Sequence, residues 1–228
     1  HRNVLHNVMR YTNRLGFAVG DRLSVVQSPS FSGTVSSLFG ALLNGATAVL
    51  VDPHDPEGGS LGDWVRRERI TVFHAVPAIF RQLRPVPDRY PALRLVRLEG
   101  DGATGADVAL FRVRCRPDCV LVNGLGATEC GLIRQYFVAG SDPVPAAAGP
   151  LPVGYPVPDM AVSLRDDGDR AVPIGEIGEI VVDSAFVAGG YWNNPTLTAA
   201  RFSRLADGRR RYRTGDLGRS RPDGCLEY

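Results

Sequence analysis

Apolar positions in the first half of the chain switch repeatedly between two periods. Val4, Leu5, Val8, Met9 and Leu15 recur at helical spacing, after which "RLSVVQ" reads as a strand and "TVSSLFGALLNG" as a helix that Gly45 stops. "TAVLVD" follows as a strand, "SLGDWVRRER" as a helix with Ser60 or Asp63 near its start, and "ITVFHAV" as a strand. "PAIFRQL" then places Pro77 where a first helical turn tolerates proline. "LRLVRLEG", "GADVALFRVR" and "CVLVNG" complete a strand, helix, strand series. Such alternation predicts the α/β class over residues 1–140: a parallel-rich sheet flanked by helices, in which ligands sit at the carboxyl ends of the strands.

From about residue 141 the texture changes. "SDPVPAAAGPLPVGYPVPD" is rich in Pro and Gly, has no helical period, and reads as a linker or meandering loop. "AVSLRD" and "GEIGEIVVDS" read as strands, "PTLTAARF" as a short helix, and "TGDLGRS" and "CLEY" as a hairpin turning at "PDG". Residues 141–228 are therefore expected to form a smaller β-rich subdomain, a distorted barrel.

Composition narrows the function classes. With 228 residues, 44% of them hydrophobic and 22% charged, the chain has the make-up of a soluble globular protein. At this size roughly 70% of the unfolded surface can be buried. No apolar run approaches the ~18 residues that a membrane span needs. The net charge of +2 is dispersed, with only Arg209, Arg210 and Arg211 clustered, which argues against a nucleic-acid partner. All 26 basic residues are arginine, so any step that needs a lysine must obtain it from outside these residues. Cys115, Cys119, Cys130 and Cys225 have neither zinc-type spacing nor disulfide-scaffold density, and the expectation is reduced thiols in a cytoplasm.

Three loops bear candidate chemistry. "EGDGATG" and "NGLGATE" each follow a strand, where glycine lets backbone approach a ligand and offers N–H groups to a base or phosphate; glycine turns after strands are also ordinary structure. Neither is a Rossmann fingerprint or a phosphate loop ending in Gly-Lys-Ser/Thr. Thr128 can donate to a phosphate oxygen and Glu129 can hold Mg²⁺, which takes one or two carboxylates alongside substrate phosphates. The competing reading makes Thr128 the cap of a following helix, with Glu129 in its first turn. In "YRTGDLG", Asp216 could accept two hydrogen bonds from a ribose diol, or be ordinary turn chemistry.

The order of the motifs is more specific than any one of them. "FSGTVSSLFGALLNGA", "NGLGATE", "GEIGEIVVDSAFVAGGYWNNPTLT" and "YRTGDLG" together resemble the adenylate-forming superfamily of acyl- and aryl-CoA synthetases, luciferase and, most closely, nonribosomal peptide synthetase adenylation domains. The resemblance spans the whole chain. It implies an interior piece of the large N-terminal core, cut after the family's lysine-containing phosphate loop and before the small mobile domain with the catalytic lysine. The activity implied is conversion of a carboxylic acid and ATP, with Mg²⁺, to an acyl adenylate and pyrophosphate. The acyl group then passes to the phosphopantetheine thiol of a carrier protein, or to CoA in the related acyl-CoA synthetases and fatty acyl-AMP ligases. A noncatalytic nucleotide-binding or scaffold fragment is the reading from another class.

By the same resemblance, Thr128 contacts the α-phosphate, Glu129 holds Mg²⁺ and Asp216 binds the ribose. Gly100, Asp101 and Gly102 form the wall beside adenine, and Asn123 and Gly126 belong to the nucleotide floor. At Leu125 the family usually has an aromatic residue stacking on adenine, and here that stacking, about 0.5–1.5 kcal/mol for aromatic pairs, is missing. The acyl pocket falls on Ser32, Gly33, Ser36, His74, Arg97, Glu99, Gly124, Leu132 and Ile133. Ser32 stands where amino-acid-activating members carry an aspartate for the substrate ammonium, which disfavours an ordinary α-amino acid. Glu99 replaces a usual glycine and could pair with a displaced ammonium. Alternatively Arg97 and Glu99 bond one another or face solvent, and His74 is a satisfied core residue.

Overall fold

The computed structural model describes residues 1–51, 59–140, 142 and 149–228. Asp52, expected at the end of a strand, and residues 141 and 143–148 of the Pro- and Gly-rich stretch lie outside the described residues. The chain divides into two compact units, Tyr11–Gly124 with Phe137–Leu151, and His1–Arg10 with Leu125–Tyr136 and Pro152–Tyr228. Helix α1 (Arg2–Leu15) has residues in both.

In the Tyr11–Gly124 unit, strands alternate with helices as the apolar pattern requires: β1 (Arg22–Val25), α2 (Ser32–Leu42), β2 (Thr47–Leu50), α3 (Leu61–Arg67), β3 (Val72–Ala75), α4 (Pro77–Phe80), β4 (Leu95–Glu99), α5 (Gly105–Arg114) and β5 (Val120–Ala127). The strands pair in parallel in the order β2-β1-β3-β4-β5. Because helices cover both faces of such a sheet, its central strands read as apolar runs without alternation. Every residue of β3 is accordingly buried, and Phe73, Val96, Leu98 and Leu121 form the core. Ser60 caps α3 by accepting the Asp63 N–H at 3.1 Å. Buried Asp107 fastens the start of α5, accepting the Thr104 N–H at 2.9 Å and both arms of Arg81 at 2.8 and 2.9 Å.

The register fixes what the carboxyl ends of these strands present. His74 lies opposite Arg97, and Glu99 opposite Gly124. Arg97 and Glu99, two apart on one strand, share a face. Helix α2 starts at Ser32, two residues earlier than "TVSSL" suggests, with Phe31 at the cap position making no side-chain bond.

In the other unit, β6 (Gly131–Val138) pairs antiparallel with β7 (Tyr155–Pro156). Gly154 lies so close to β6 that a Cβ there would sit 2.2 Å from the Gln135 carbonyl oxygen, and its φ of +81° suits only glycine well. An antiparallel sheet follows in the order β10-β11-β9-β8, built from β8 (Ala161–Arg165), β9 (Ile177–Ser184), β10 (Phe202–Arg204) and β11 (Arg210–Ser220), with α6 (Pro195–Arg201) before β10. The expected hairpin is present: β12 (Leu226–Glu227) pairs with the end of β11, Arg219 opposite Glu227. Pairing of β11 with β9 breaks between Arg213, opposite Val181, and Leu217, opposite Glu179, so Thr214, Gly215 and Asp216 bulge from the ladder.

Candidate functional site

Thr128 and Glu129 occupy the turn between β5 and β6, where the chain reverses into a strand. No helix follows, so the helix-capping alternative for this pair is set aside. Cys130 N–H bonds the Ala127 carbonyl at 3.1 Å, and Gly131 closes the turn with a φ of +73°. Thr128 is exposed and Glu129 half-buried. Glu129 is held from one side of its own unit: its carbonyl accepts the Ala188 N–H at 2.7 Å, and its Oε1 accepts the Tyr191 hydroxyl at 2.7 Å. Burial, reinforced by that bond, raises the Tyr191 pKa. Tyr191 packs edge-on against Phe202, which in turn tilts against Tyr212.

Asp216 sits in the β11 bulge of the same unit. Thr214 Oγ1 donates to the Ile180 carbonyl at 2.8 Å and accepts the Asp216 N–H at 3.0 Å, while Gly215 N–H reaches Glu179 Oε1 at 2.9 Å. The backbone is thus pinned, yet among the described residues the Asp216 carboxylate accepts no hydrogen bond. Burial, with the charges of Glu129 and Glu179, outweighs nearby Arg201 and raises its pKa. A half-buried acceptor held in a rigid turn without a donor is chemically ready for a ligand with hydroxyl donors. Leu125 is buried and Gly126 exposed. Leu132 and Ile133 are buried on β6, where Asn7 Oδ1 accepts the Leu132 N–H at 2.8 Å and Arg10 binds the Leu132 carbonyl.

The remaining predicted positions lie in the Tyr11–Gly124 unit. Gly100, Asp101 and Gly102 form an exposed loop after β4, with Gly100 at a φ of +89° and Asp101 Oδ1 accepting the Gly102 N–H at 2.7 Å. Asn123 is buried and donates to the Leu151 carbonyl at 3.3 Å. Ser32 is exposed in the first turn of α2. A Cβ on Gly33 would meet Gln27 Oε1 at 2.5 Å.

Ser36, His74, Arg97 and Glu99 form one polar cluster, and Gly124 lies beneath it. Arg97 is 1% exposed and donates from Nε to Glu99 Oε1 and from Nη2 to Glu99 Oε2, both at 2.8 Å. Its Nη2 also reaches Ser36 Oγ at 2.7 Å, and its guanidinium carbon stands 3.7 Å from the centre of the Tyr11 ring. The Tyr11 hydroxyl lies 2.8 and 3.0 Å from the two Glu99 oxygens. Burial alone would lower the Arg97 pKa, but the charge of Glu99, with Tyr11 behind it, leaves it raised. His74 is bonded through Nδ1 to Ser37 Oγ at 2.8 Å and through Nε2 to Gln27 at 3.3 Å. Complete burial, then the Arg97 charge, holds its pKa well below 6.5, so the ring is neutral. Of the open readings, then, Arg97 and Glu99 bond one another and His74 is a satisfied core residue.

Sequence reasoning missed Tyr11, Gln27, Ser37 and Tyr191. Tyr11 bonds Glu99 88 positions away, and Tyr191 bonds Glu129 62 positions away. No local spacing marks such pairs; the available signal is that Ser37 and Tyr191 each fall inside a family-like motif.

The profile of the AMP-binding enzyme family matches residues 1–192. The chain belongs to this family. Among similar proteins, tyrocidine synthase 3 of Brevibacillus parabrevis is 32% identical over 100% of the chain, and pyochelin synthetase PchE of Pseudomonas aeruginosa 33% identical over 100%. The chain spans 4% of the first protein and 16% of the second. The crystal structure of the nonribosomal peptide synthetase FmoA3 superposes with a TM-score of 0.88 at 31% identity, covering 100% of this chain and 25% of that one. The fold is thus that of the N-terminal core of an adenylation domain: an α/β sheet with helices, and a curled antiparallel sheet. Among the described residues, no helix is long and apolar enough to cross a membrane.

Proposed function

We propose that the chain is the nucleotide- and acid-binding core of an adenylation domain, one that activates a carboxylic acid with ATP and passes the acyl group to a carrier-protein phosphopantetheine thiol. Family membership supports the class. The observation that carries the nucleotide reading is Asp216: a half-buried carboxylate on a pinned backbone turn, accepting no hydrogen bond among the described residues, on the motif position that resembles the family's ribose ligand.

The chemistry is attack of the acid's carboxylate oxygen on the α-phosphorus, with pyrophosphate leaving. Negative charge accumulates on the phosphoryl oxygens, so catalysis is positioning and electrostatic stabilisation. In this reading the exposed Thr128 hydroxyl donates to the α-phosphate and Asp216 orients the ribose. Gly100, Asp101 and Gly102 give adenine a wall in which the two glycines add no side-chain bulk, and Leu125 offers dispersion contact instead of ring stacking. A Mg²⁺ ion suits the donor set at Glu129, a single half-exposed carboxylate fixed through Oε1 by Tyr191; the ion would supply charge neutralisation of the phosphates there. Ser32 leaves an α-ammonium without a counter-charge, at a cost of several kcal/mol. Glu99 is already taken up by Arg97 and Tyr11. The acid is therefore not an ordinary α-amino acid.

Titration with a nonhydrolysable acyl-sulfamoyl adenosine, and with ATP in the presence and absence of Mg²⁺, tests the reading. Binding that Asp216→Asn weakens at least tenfold, with Mg²⁺ strengthening ATP alone, is expected. No Mg²⁺-dependent ATP binding and no analogue binding would mark a scaffold instead. Because the 228 residues contain no lysine, they are expected not to release pyrophosphate steadily by themselves.

A further inference from the structure

We infer that the Arg97–Glu99 pair is a self-neutralised plug on Gly124 that restricts the activated acid to a short one, with no charge beyond its reacting carboxylate. This rests on the adenylation reading, in which Gly124 faces the acyl group, and adds the substrate class.

Space supplies the first half. A methyl group on Gly124 would sit 2.4 Å from Glu99 Oε1 and 2.8 Å from its Cγ and Cδ, far inside contact distance. The Glu99 side chain therefore already fills the volume over Gly124, and an acyl chain cannot extend across that face. The arrangement is not slack: the register sets Glu99 opposite Gly124, and both carboxylate oxygens are anchored by Arg97 and Tyr11.

Charge supplies the second half. Arg97 and Glu99 cancel, His74 is neutral, and Ser36 is engaged, donating to the Gly33 carbonyl at 2.8 Å while receiving Arg97. An ammonium on the acid would compete with a guanidinium that already grips Glu99 through two bonds. A second carboxylate would compete with Glu99 for Arg97. Either intruder would have to be desolvated with no uncompensated partner to meet, which is the costly case for a buried charge.

Binding of a series of acyl-sulfamoyl adenosines to the whole chain, read by isothermal titration, tests this. The propionyl analogue is expected to bind at least tenfold more tightly than the octanoyl, succinyl (free ω-carboxylate) or β-alanyl analogue. Glu99→Gln keeps the shape and leaves the Arg97 charge uncompensated, so the succinyl-to-propionyl affinity ratio should rise at least tenfold. The double variant Arg97→Val/Glu99→Gly removes the plug and should raise the octanoyl-to-propionyl ratio at least tenfold; if it does not fold, the Glu99→Gln ratio decides. Propionyl and octanoyl binding within threefold in the wild type, preference for β-alanyl, or an unmoved ratio in Glu99→Gln overturns the inference while leaving adenylation intact. Failure of every analogue to bind refutes the adenylation reading, and this inference with it.

Discussion

Replacing Glu99 by alanine should be among the most damaging single changes available to this chain, whatever acid it handles. Arg97 is 1% exposed. In the variant it would lose its counter-charge and both hydrogen bonds to Glu99, retaining Ser36 Oγ and the Tyr11 face. Removing one partner of a buried ion pair costs about 3–5 kcal/mol, because a desolvated charge is left unmatched. For a domain of this size a loss of 1 kcal/mol lowers the melting temperature by about 2–4 °C, so the midpoint should fall by roughly 6–20 °C. The matched control is Arg97→Met/Glu99→Met, similar in volume and uncharged, which should recover most of the loss, since buried pairs are often replaceable by well-packed apolar residues. Urea denaturation followed by tryptophan fluorescence is well placed to report this. Trp64 is 4% exposed and lies in the same unit as the pair, whereas Trp192 is 97% exposed and should change little on unfolding. Loss of less than about 1 kcal/mol in the single variant, or equal loss in single and double, would show that water reaches Arg97 and that the cluster is not a buried ion pair.

Two further outcomes concern titration. The His74 pKa is held well below 6.5 in the fold, so its contribution to stability is complete above pH 6.5 and is lost as pH falls below it, at up to about 1.4 kcal/mol per pH unit for one proton. His6, also lowered, chiefly by burial, acts in the same direction. Denaturation midpoints between pH 6.5 and 5 should therefore decline less in His74→Gln than in the wild type, and parallel declines would refute the assignment. Asp216 has the opposite sign: its raised pKa means that its charged form opposes folding once pH rises through that value. Asp216→Asn should raise the melting temperature at pH 7 and leave it unchanged near pH 3; a lower melting temperature at pH 7 would mean that the carboxylate has a stabilising partner.

How much of this was legible beforehand depended on whether the determining contact was local. β3 and β4 were plain in the sequence because strands covered on both faces are mostly apolar without alternation, even with His74 set in one and Arg97 in the other, and the Asp223–Gly224 turn announced the last hairpin. Thr128 and Glu129 were located correctly at a strand end, but hydroxyl-then-carboxylate is equally a helix start. What decides is the chain after them, where Gly131 takes a positive φ and turns into β6. Arg97 and Glu99 could be placed on one face from their spacing, yet whether they faced solvent or each other depended on Tyr11, which no period connects to them. For Tyr191 the tertiary pairing with Glu129 is everything, and sequence spacing has nothing to say about it.

The β11 bulge has a consequence for how this protein could vary. Between the pairs Arg213–Val181 and Leu217–Glu179, β11 advances four residues while β9 advances two. The surplus is even, and side chains in a strand alternate with a period of two, so the inward and outward faces resume unchanged beyond it. Tyr212 before the bulge and Gly218 after it are both buried. Deleting one residue from Thr214–Asp216 would turn every later side chain of β11 to the wrong face. Deleting two could leave a sound sheet without its aspartate, so relatives that shed this carboxylate have a ready way to keep the fold.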